Sequence, residues 1–482
     1  MTEPHALEHG DAAPTDAAPA HTRALDDAAM RSLHPDCPDW ERLGPTKRDA
    51  AIRATAVAQQ LADQERTDTW ASGFNRRTFL KAGMGIGVAA LGSQVVTSRV
   101  SYASAAEPNA GTLVVVFLRG GMDGLSLLIP ATEATGSTYL RQNRPGVAIN
   151  PGKLLAFDTA RGFGLHPALS PLAPLIKAGK VAAVPAVSTP DLSRSHFQAQ
   201  DCLERGSTNS LTSGWLDRVL EASGAGTTFR SVAVGGMTPR SLMGTSRSMA
   251  MYNIDSIRLD GVDEKFMDST TDALASLYTG IDHPIAQQAT LALGALDTIK
   301  AIKASQSSAP AVEYPEGNFA DALKSLAALI NGNAGVRVAC IDVGGWDTHT
   351  GMGNETAGDI MRHLGDLAEA LAAFTTDIGP ALENTTIVTM SEFGRRVEEN
   401  ASGGTDHGHG GAVLVIGGGV SAGVHGVWNG LAPDALEQGD VRGLNDYRDV
   451  LSEIVTKRLD LTTGAISGVF PDWQAQPVGV MA

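Results

Sequence analysis

Five short, continuous apolar runs constrain the fold of this chain more than any other feature: LVVVFL at 113–118, VAAVPAV at 181–187, VRVACIDV at 336–343, TTIVTM at 385–390 and AVLVIGG at 412–418. They are rich in β-branched residues and too short for buried helices. Unbroken apolarity, rather than alternation, marks strands covered on both faces, as in a parallel sheet. Helical patterns lie between them. HPALSPLAPLIKAG (166–179) ends at Gly, SHFQAQDCLER (195–205) opens with Ser195 and is followed by Gly206, and FADALKSLAALI (319–330) and residues 359–378 carry apolar positions at spacings of three and four. Ser195 at the helix start with Gln198 three residues later has the pattern of a capping box. Strand, helix and strand in alternation predict an α/β fold, a doubly wound, mostly parallel sheet with helices on both faces. The stretch 207–290 is more irregular and reads as a possible insertion.

Composition excludes several classes. The formal net charge of -16, from 37 basic and 53 acidic residues, is the wrong sign for a nucleic-acid binder. Three cysteines exclude a disulfide scaffold and a Cys-rich metal domain. No apolar run of about 20 residues persists without polar breaks, so the chain is not an integral membrane protein once any signal is removed.

The first quarter reads differently from the rest. Residues 1–75 form a polar leader, largely disordered, with one amphipathic helical pattern at 46–69. In 76–105, Arg76 and Arg77 precede Thr78-Phe79-Leu80-Lys81, a weakly apolar Gly/Ala run and the small-x-small site Ala103-Ser104-Ala105. This pattern resembles a twin-arginine export signal. It implies the twin-arginine export machinery as a partner and a periplasmic or extracellular location. Residues 106–475 form the α/β domain.

Ligands of open α/β sheets bind beyond the carboxyl ends of the strands, and the polar residues of this chain gather there. Arg119, Asp123 and Ser126 follow the first run, and Ser195-His196 the second. Asp347 and His349 follow the third, Glu392 and Arg395 the fourth, while Asp406, His407 and His409 precede the fifth. Carboxylates and imidazoles converging from separate strand ends predict a metal site, because like charges gather only around a cation. The N/O donors suit zinc, manganese or iron, with one or two ions. Asp123 also fits a helix cap, Arg119 an anion clamp, Trp346 packing and His166 a cap or wall residue.

LRGGMDGLS, GLHPALSPL, RSHFQAQ, GGWDTH, SEFGRR and GTDHGHGG, in this order behind paired arginines, resemble the exported bacterial family called domain of unknown function 1501. That family is placed in the alkaline-phosphatase-like superfamily with sulfatases and phosphodiesterases. The resemblance implies Asp123 as the metal-binding Asp after the first strand, Ser195 as nucleophile, and Asp347 and His349 as ligands of one metal. For the remaining ligands it offers two alignments. DHGHG resembles an Asp-His-x-His set, whereas strand order puts Glu392 at the carboxylate position, with His407 or His409 as the final ligand. The formylglycine motif of sulfatases is absent, since Cys202 lies inside a helical pattern. The resemblance implies a metal-dependent hydrolase of small anionic phosphate or sulfate esters, with Ser195 attacking and Arg119 steadying the anion. The alternative is a non-catalytic exported scaffold that keeps the fold and a structural metal.

Overall fold

All five apolar runs are strands of one nine-stranded sheet in the computed structural model of the protein. The structure describes residues 111–482 apart from 236, 247, 260, 282–283, 306–311 and 472; the leader and the signal, 1–75 and 76–105, lie outside the described residues. The strands are β1 (Thr112–Leu118), β2 (Val181–Ser188), β3 (Ser231–Val234), β4 (Met249–Met251), β5 (Val338–Val343), β6 (Thr385–Met390), β7 (Gly411–Gly417), β8 (Gly423–Val424) and β9 (Asn445–Asp446). Their order is β8–β2–β7–β6–β1–β5–β3–β4, with β9 also beside β2. β1 lies in the middle, with Val115 opposite Cys340 on one side and Val388 on the other.

Every pairing is parallel except those of β7, which runs antiparallel to both β2 and β6. This reversal positions the site. A loop leaving a parallel strand and a loop entering a reversed one reach the same sheet edge, so the residues before β7 face those after β2, β5 and β6.

Five helices matter here: α1 (His196–Arg205), α2 (Trp215–Ala222), α3 (Asn318–Asn331), α4 (Asp359–Asp377) and α5 (Tyr447–Arg458). The period-two alternation of β1 sorts its side chains between two cores. Val114, Val116 and Leu118 pack with Leu323 and Leu326 of α3 and Leu364 and Leu371 of α4. Leu113, Val115 and Phe117 pack with Trp215 and Val219 of α2 and Leu451 and Ile454 of α5. Helices therefore cover both faces. Each buried Val or Leu of β1 contributes roughly 1.5–3 kcal/mol relative to exposure.

The irregular stretch 207–290 supplies α2, β3 and β4, so it contributes two strands to the sheet. The run expected as one helix at 166–179 is a 3-10 segment, Pro167–Leu172, followed by a short α-helix, Ala173–Lys177. Pro171 and Pro174 lack the N–H groups that a continuous helix would use. The His166 ring accepts the Ala168 N–H at 3.0 Å and caps this segment.

A satellite four-stranded sheet, in the order Thr405–His407, Arg395–Glu399, Asp440–Val441 and Leu436–Glu437, stands at the same edge. It pairs Arg395 with His407 and Arg396 with Asp440. Among the described residues no helix is long and apolar enough to cross a membrane.

Candidate metal centre

Loop 189–195 leaves β2 and delivers Ser195 to the N-cap of α1, and Gly206 closes the helix in the left-handed conformation at φ +69°. The Ser195 side chain makes no capping hydrogen bond. The capping box expected from Ser195 and Gln198 is therefore not formed, and the hydroxyl is not committed to the helix.

His196, the next residue, turns into the sheet edge. Its Nδ1 donates to Glu392 Oε1 at 2.7 Å. Its Nε2 is buried without a hydrogen-bond partner, 3.5 Å from Asp347 Oδ2. His407 repeats the arrangement. Nδ1 donates to the Arg194 carbonyl at 2.9 Å, and Nε2 lies 3.2 Å from Asp347 Oδ1. His349 does so again, with Nδ1 on Asp406 Oδ1 at 3.1 Å and Nε2 3.1 Å from Asp347 Oδ1 and 3.0 Å from His407 Nε2.

Each Nδ1 faces only an acceptor, so the proton of each neutral ring sits there and each Nε2 presents a lone pair. Three bare lone pairs gathered around one carboxylate repel unless a cation joins them. His196, Asp347 and His407 offer ligand atoms all within 4.8 Å of one another. A tetrahedral ion with bonds of about 2.0–2.1 Å sets its ligand atoms roughly 3.3 Å apart. The separations among Asp347 Oδ1, His349 Nε2 and His407 Nε2, 3.0–3.2 Å, and from His196 Nε2 to Asp347 Oδ2, 3.5 Å, lie close to that figure. The donor set fits a transition-metal ion.

The carboxylates divide into layers. Asp347, with a side chain 48 % exposed, is the one that all three imidazole Nε2 atoms face. Burial pushes its carboxyl up, but the Arg395 hydrogen bond and charge outweigh this and hold it below the ordinary range. Arg395 is fully buried; it donates to Asp347 Oδ1 at 2.5 Å, to the Gly121 carbonyl at 2.6 Å and to the Thr405 carbonyl at 2.8 Å. Glu392 is fully buried behind His196 and accepts from Gly120 N–H and Gln200 Nε2, both at 2.9 Å. Burial raises Glu392, yet the Gln200 and His196 hydrogen bonds keep its carboxyl low. Asp406 is exposed and kept low by hydrogen bonds from Asn400 and His349. Glu392 and Asp406 therefore orient imidazoles, a role that metal-ligating histidines require of their neighbours. Burial makes the His407 ring harder to protonate, which favours the ligating form.

The other candidates lie elsewhere. Asp123 is fully buried and doubly bonded to Arg144, at 2.9 and 2.8 Å, and it also accepts from Ser126 N–H and the Thr405 hydroxyl. Its lone pairs are used within the fold. His409 bridges Glu437 and the Thr189 carbonyl, both at 3.2 Å, away from Asp347. The Arg119 guanidinium is held by Glu204 and Asp342, both at 2.9 Å, so it is not a free anion clamp. Ser126 is buried, with its hydroxyl 3.5 Å from Arg144. Trp346 is buried and packs edge-on against His363.

The sequence reading of ligands omitted His196, although it adjoins Ser195. It also left Arg395 without a role, although it follows Glu392 in SEFGRR.

Solved structures with a resemblance to the chain include a sulfatase from Pseudoalteromonas sp., at 14% identity and TM-score 0.30, covering 77% of this chain and 70% of that one. An alkaline phosphatase from the Antarctic bacterium TAB5 is 11% identical, with TM-score 0.23 and coverage of 65% and 94%. A C-terminal periplasmic domain from Escherichia coli, solved in complex with Zn, is 10% identical, with TM-score 0.28 and coverage of 66% and 77%. No curated protein matches the chain. The family model described as "Protein of unknown function (DUF1501)" matches residues 172–464, more than half of the sequence, and takes in Ser195, His196, Asp347, His349, Glu392 and His407: the chain belongs to this family.

Proposed function

We propose that the centre holds one zinc, manganese or iron ion on His196, His349, His407 and Asp347, and that the protein is an exported metal-dependent hydrolase of phosphate or sulfate esters. The observation that carries this reading is the common arrangement of the three imidazoles. Each is tied back through Nδ1, and each turns Nε2 toward Asp347. One ion rather than two is favoured because Asp123 spends its lone pairs on Arg144, Ser126 and Thr405. A bound ion supplies charge neutralisation and lowers the pKa of a nearby hydroxyl.

Ser195 is the nucleophile in this reading. It stands beside His196 at the start of a ten-residue helix, with no capping bond to hold its hydroxyl. Its Oγ gives its proton to water and attacks the phosphorus or sulfur centre, the ester oxygen leaves with its electron pair and takes up a proton, a second water hydrolyses the Ser195 ester, and the helix N-terminus steadies the anion. Arg395 fixes Asp347, and Glu392 fixes His196.

The test is elemental analysis of purified protein, followed by turnover of an aryl phosphate and an aryl sulfate by the parent and Ser195→Ala at equal metal occupancy. The expected outcome is one ion per chain and loss of turnover by orders of magnitude in Ser195→Ala. No metal after folding with zinc, manganese or iron removes the reading. A specific observation favours a second reading, the exported scaffold with a structural metal: Arg119, Arg194 and Arg395 each have an acidic partner, which leaves none of the three free for an anionic ester. A metal-loaded parent without turnover on either ester selects it. Export is tested separately. Arg76→Lys with Arg77→Lys traps the precursor inside the cell if the guanidinium pair is read by the export receptor.

A further inference from the structure

Loop 189–195 contains a backbone conformation that residues with a Cβ rarely adopt. Arg194 sits in the left-handed region at φ +54°. The turn directs the Arg194 carbonyl at His407, which donates to it from Nδ1 at 2.9 Å. The side chain of the same residue reaches the other way, to Asp440 Oδ2, in an ion pair with a carboxylate that is 1 % exposed. Asp440 stands in the satellite sheet, in register with Arg396, whose Nε is 3.8 Å from Asp440 Oδ1. That second oxygen has no hydrogen-bond partner. A buried carboxylate satisfied on one side only is costly to keep. Burial also raises the Asp440 carboxyl, which the two arginines oppose.

A strained residue beside a candidate nucleophile invites a functional account, because strain persists only where the surroundings over-determine it. We propose that Arg194 and Asp440 form a positioning pair for the metal centre: Asp440 anchors the guanidinium, the anchored side chain holds the left-handed turn, and the turned carbonyl fixes the His407 ring with Nε2 toward Asp347. This inference rests on the metal-binding reading above. Neither residue is a ligand, and both act through His407.

Zinc affinity, measured by chelator competition, and the visible spectrum of the cobalt(II)-loaded full-length protein test the pair, with circular dichroism to establish folding. Arg194→Ala keeps a Cβ in the left-handed turn and removes the anchor, and it is expected to weaken zinc roughly 10–100-fold and to alter the cobalt bands. Asp440→Asn retains the shape and one acceptor oxygen, and it is expected to weaken zinc about tenfold. Arg194→Gly also lacks the anchor, but glycine occupies positive φ freely, so it recovers most of the affinity that Arg194→Ala loses. A merely structural ion pair would not separate Gly from Ala in metal affinity. The pair is overturned if Asp440→Asn and Arg194→Ala fold and bind zinc and cobalt as the parent does, or if Gly and Ala at position 194 lose equally. If Arg194→Ala does not fold, Asp440→Asn at parental affinity overturns the proposal by itself. A parent that takes up neither metal removes the metal-binding reading and this inference together, whereas a loaded parent with unaffected variants removes this inference alone.

Discussion

Asp123 and Asp347 follow β1 and β5, neighbours in the sheet, at the same edge, and both keep their carboxyl below the ordinary range. They are nonetheless opposite kinds of group. Asp123 is sealed, with both oxygens bonded to Arg144 and further donors from Ser126 and Thr405. Asp347 has one buried guanidinium behind it and three imidazoles in front. What separates a structural carboxylate from a ligand is the lone pairs that the fold leaves open. A low pKa does not distinguish them, because an arginine produces it in both places.

Asp347→Ala and Asp123→Asn break this comparison from its two sides. Asp347→Ala removes a proposed ligand, so the loss of zinc affinity should exceed the roughly 10–100-fold expected for a residue that only orients a ligand. Unfolding of the metal-free protein should also move, because buried Arg395 loses its carboxylate partner, but by less than in Asp123→Asn, since Asp347 is half-exposed. Calorimetry with and without chelator reads both quantities, and unaltered zinc affinity would return Asp347 to the structural class. Asp123→Asn is expected to do the reverse. It leaves Arg144 buried without its charge partner, at a cost of about 3–5 kcal/mol, while zinc affinity per folded molecule stays at the parental value. A fall in that affinity would restore Asp123 to the centre.

Acid titration sharpens the comparison with a smaller effect. Burial pushes His166 down to about 4, below the ordinary His value of about 6.5. The folded protein keeps this ring neutral and the unfolded chain protonates it, so its contribution is complete above about pH 6.5 and is lost as pH falls toward 4. Burial raises the Asp123 carboxyl, but Arg144 outweighs burial and the net direction is down. Its contribution is complete above the unfolded carboxyl value of about 3.9 and is lost below it. Urea midpoints against pH should therefore fall in two stages. Asp123→Asn should flatten the lower stage and spare the upper one, and an unaltered lower stage would contradict the assignment.

Ser195→Ala should have the smallest effect on stability. With no capping bond to lose, the change should stay within about 0.5 kcal/mol. A loss near the typical 1 kcal/mol of a cap would show that the hydroxyl serves the helix.

Much of the fold was legible because continuous apolarity survives without context. LVVVFL and TTIVTM can hardly be anything but buried strands. SVAV at 231–234 and MAM at 249–251 are too short for periodicity to register, so the stretch around them looked irregular. The reversal of β7 has no local signature, since direction depends on the connection and not on the strand's own residues. The centre divides similarly. Asp347, His349 and His407 stood out as polar residues among glycines at strand ends, and the fold brings these three together. The partnership of Asp123 with Arg144, 21 residues away, follows no helical or strand spacing and could not be read. Nor could the division of labour between Glu392 and His196, because a carboxylate that ligates and one that holds an imidazole look alike in one dimension.

The reversed β7 has a further consequence for the order of events during synthesis. The donors of the centre run from residue 196 to residue 407, and the full set meets only when β7 has threaded between β2 and β6. A nascent chain that ends before residue 411 already carries His196, His349, His407 and Asp347, yet it lacks the strand that joins β2 to β6 and so ties the loop of His196 to the rest. Contacts so distant in sequence form late, after their loop-closure entropy has been overcome. On the metal-binding reading, capture of an ion by the full donor set therefore waits for the insertion of β7, late in the chain.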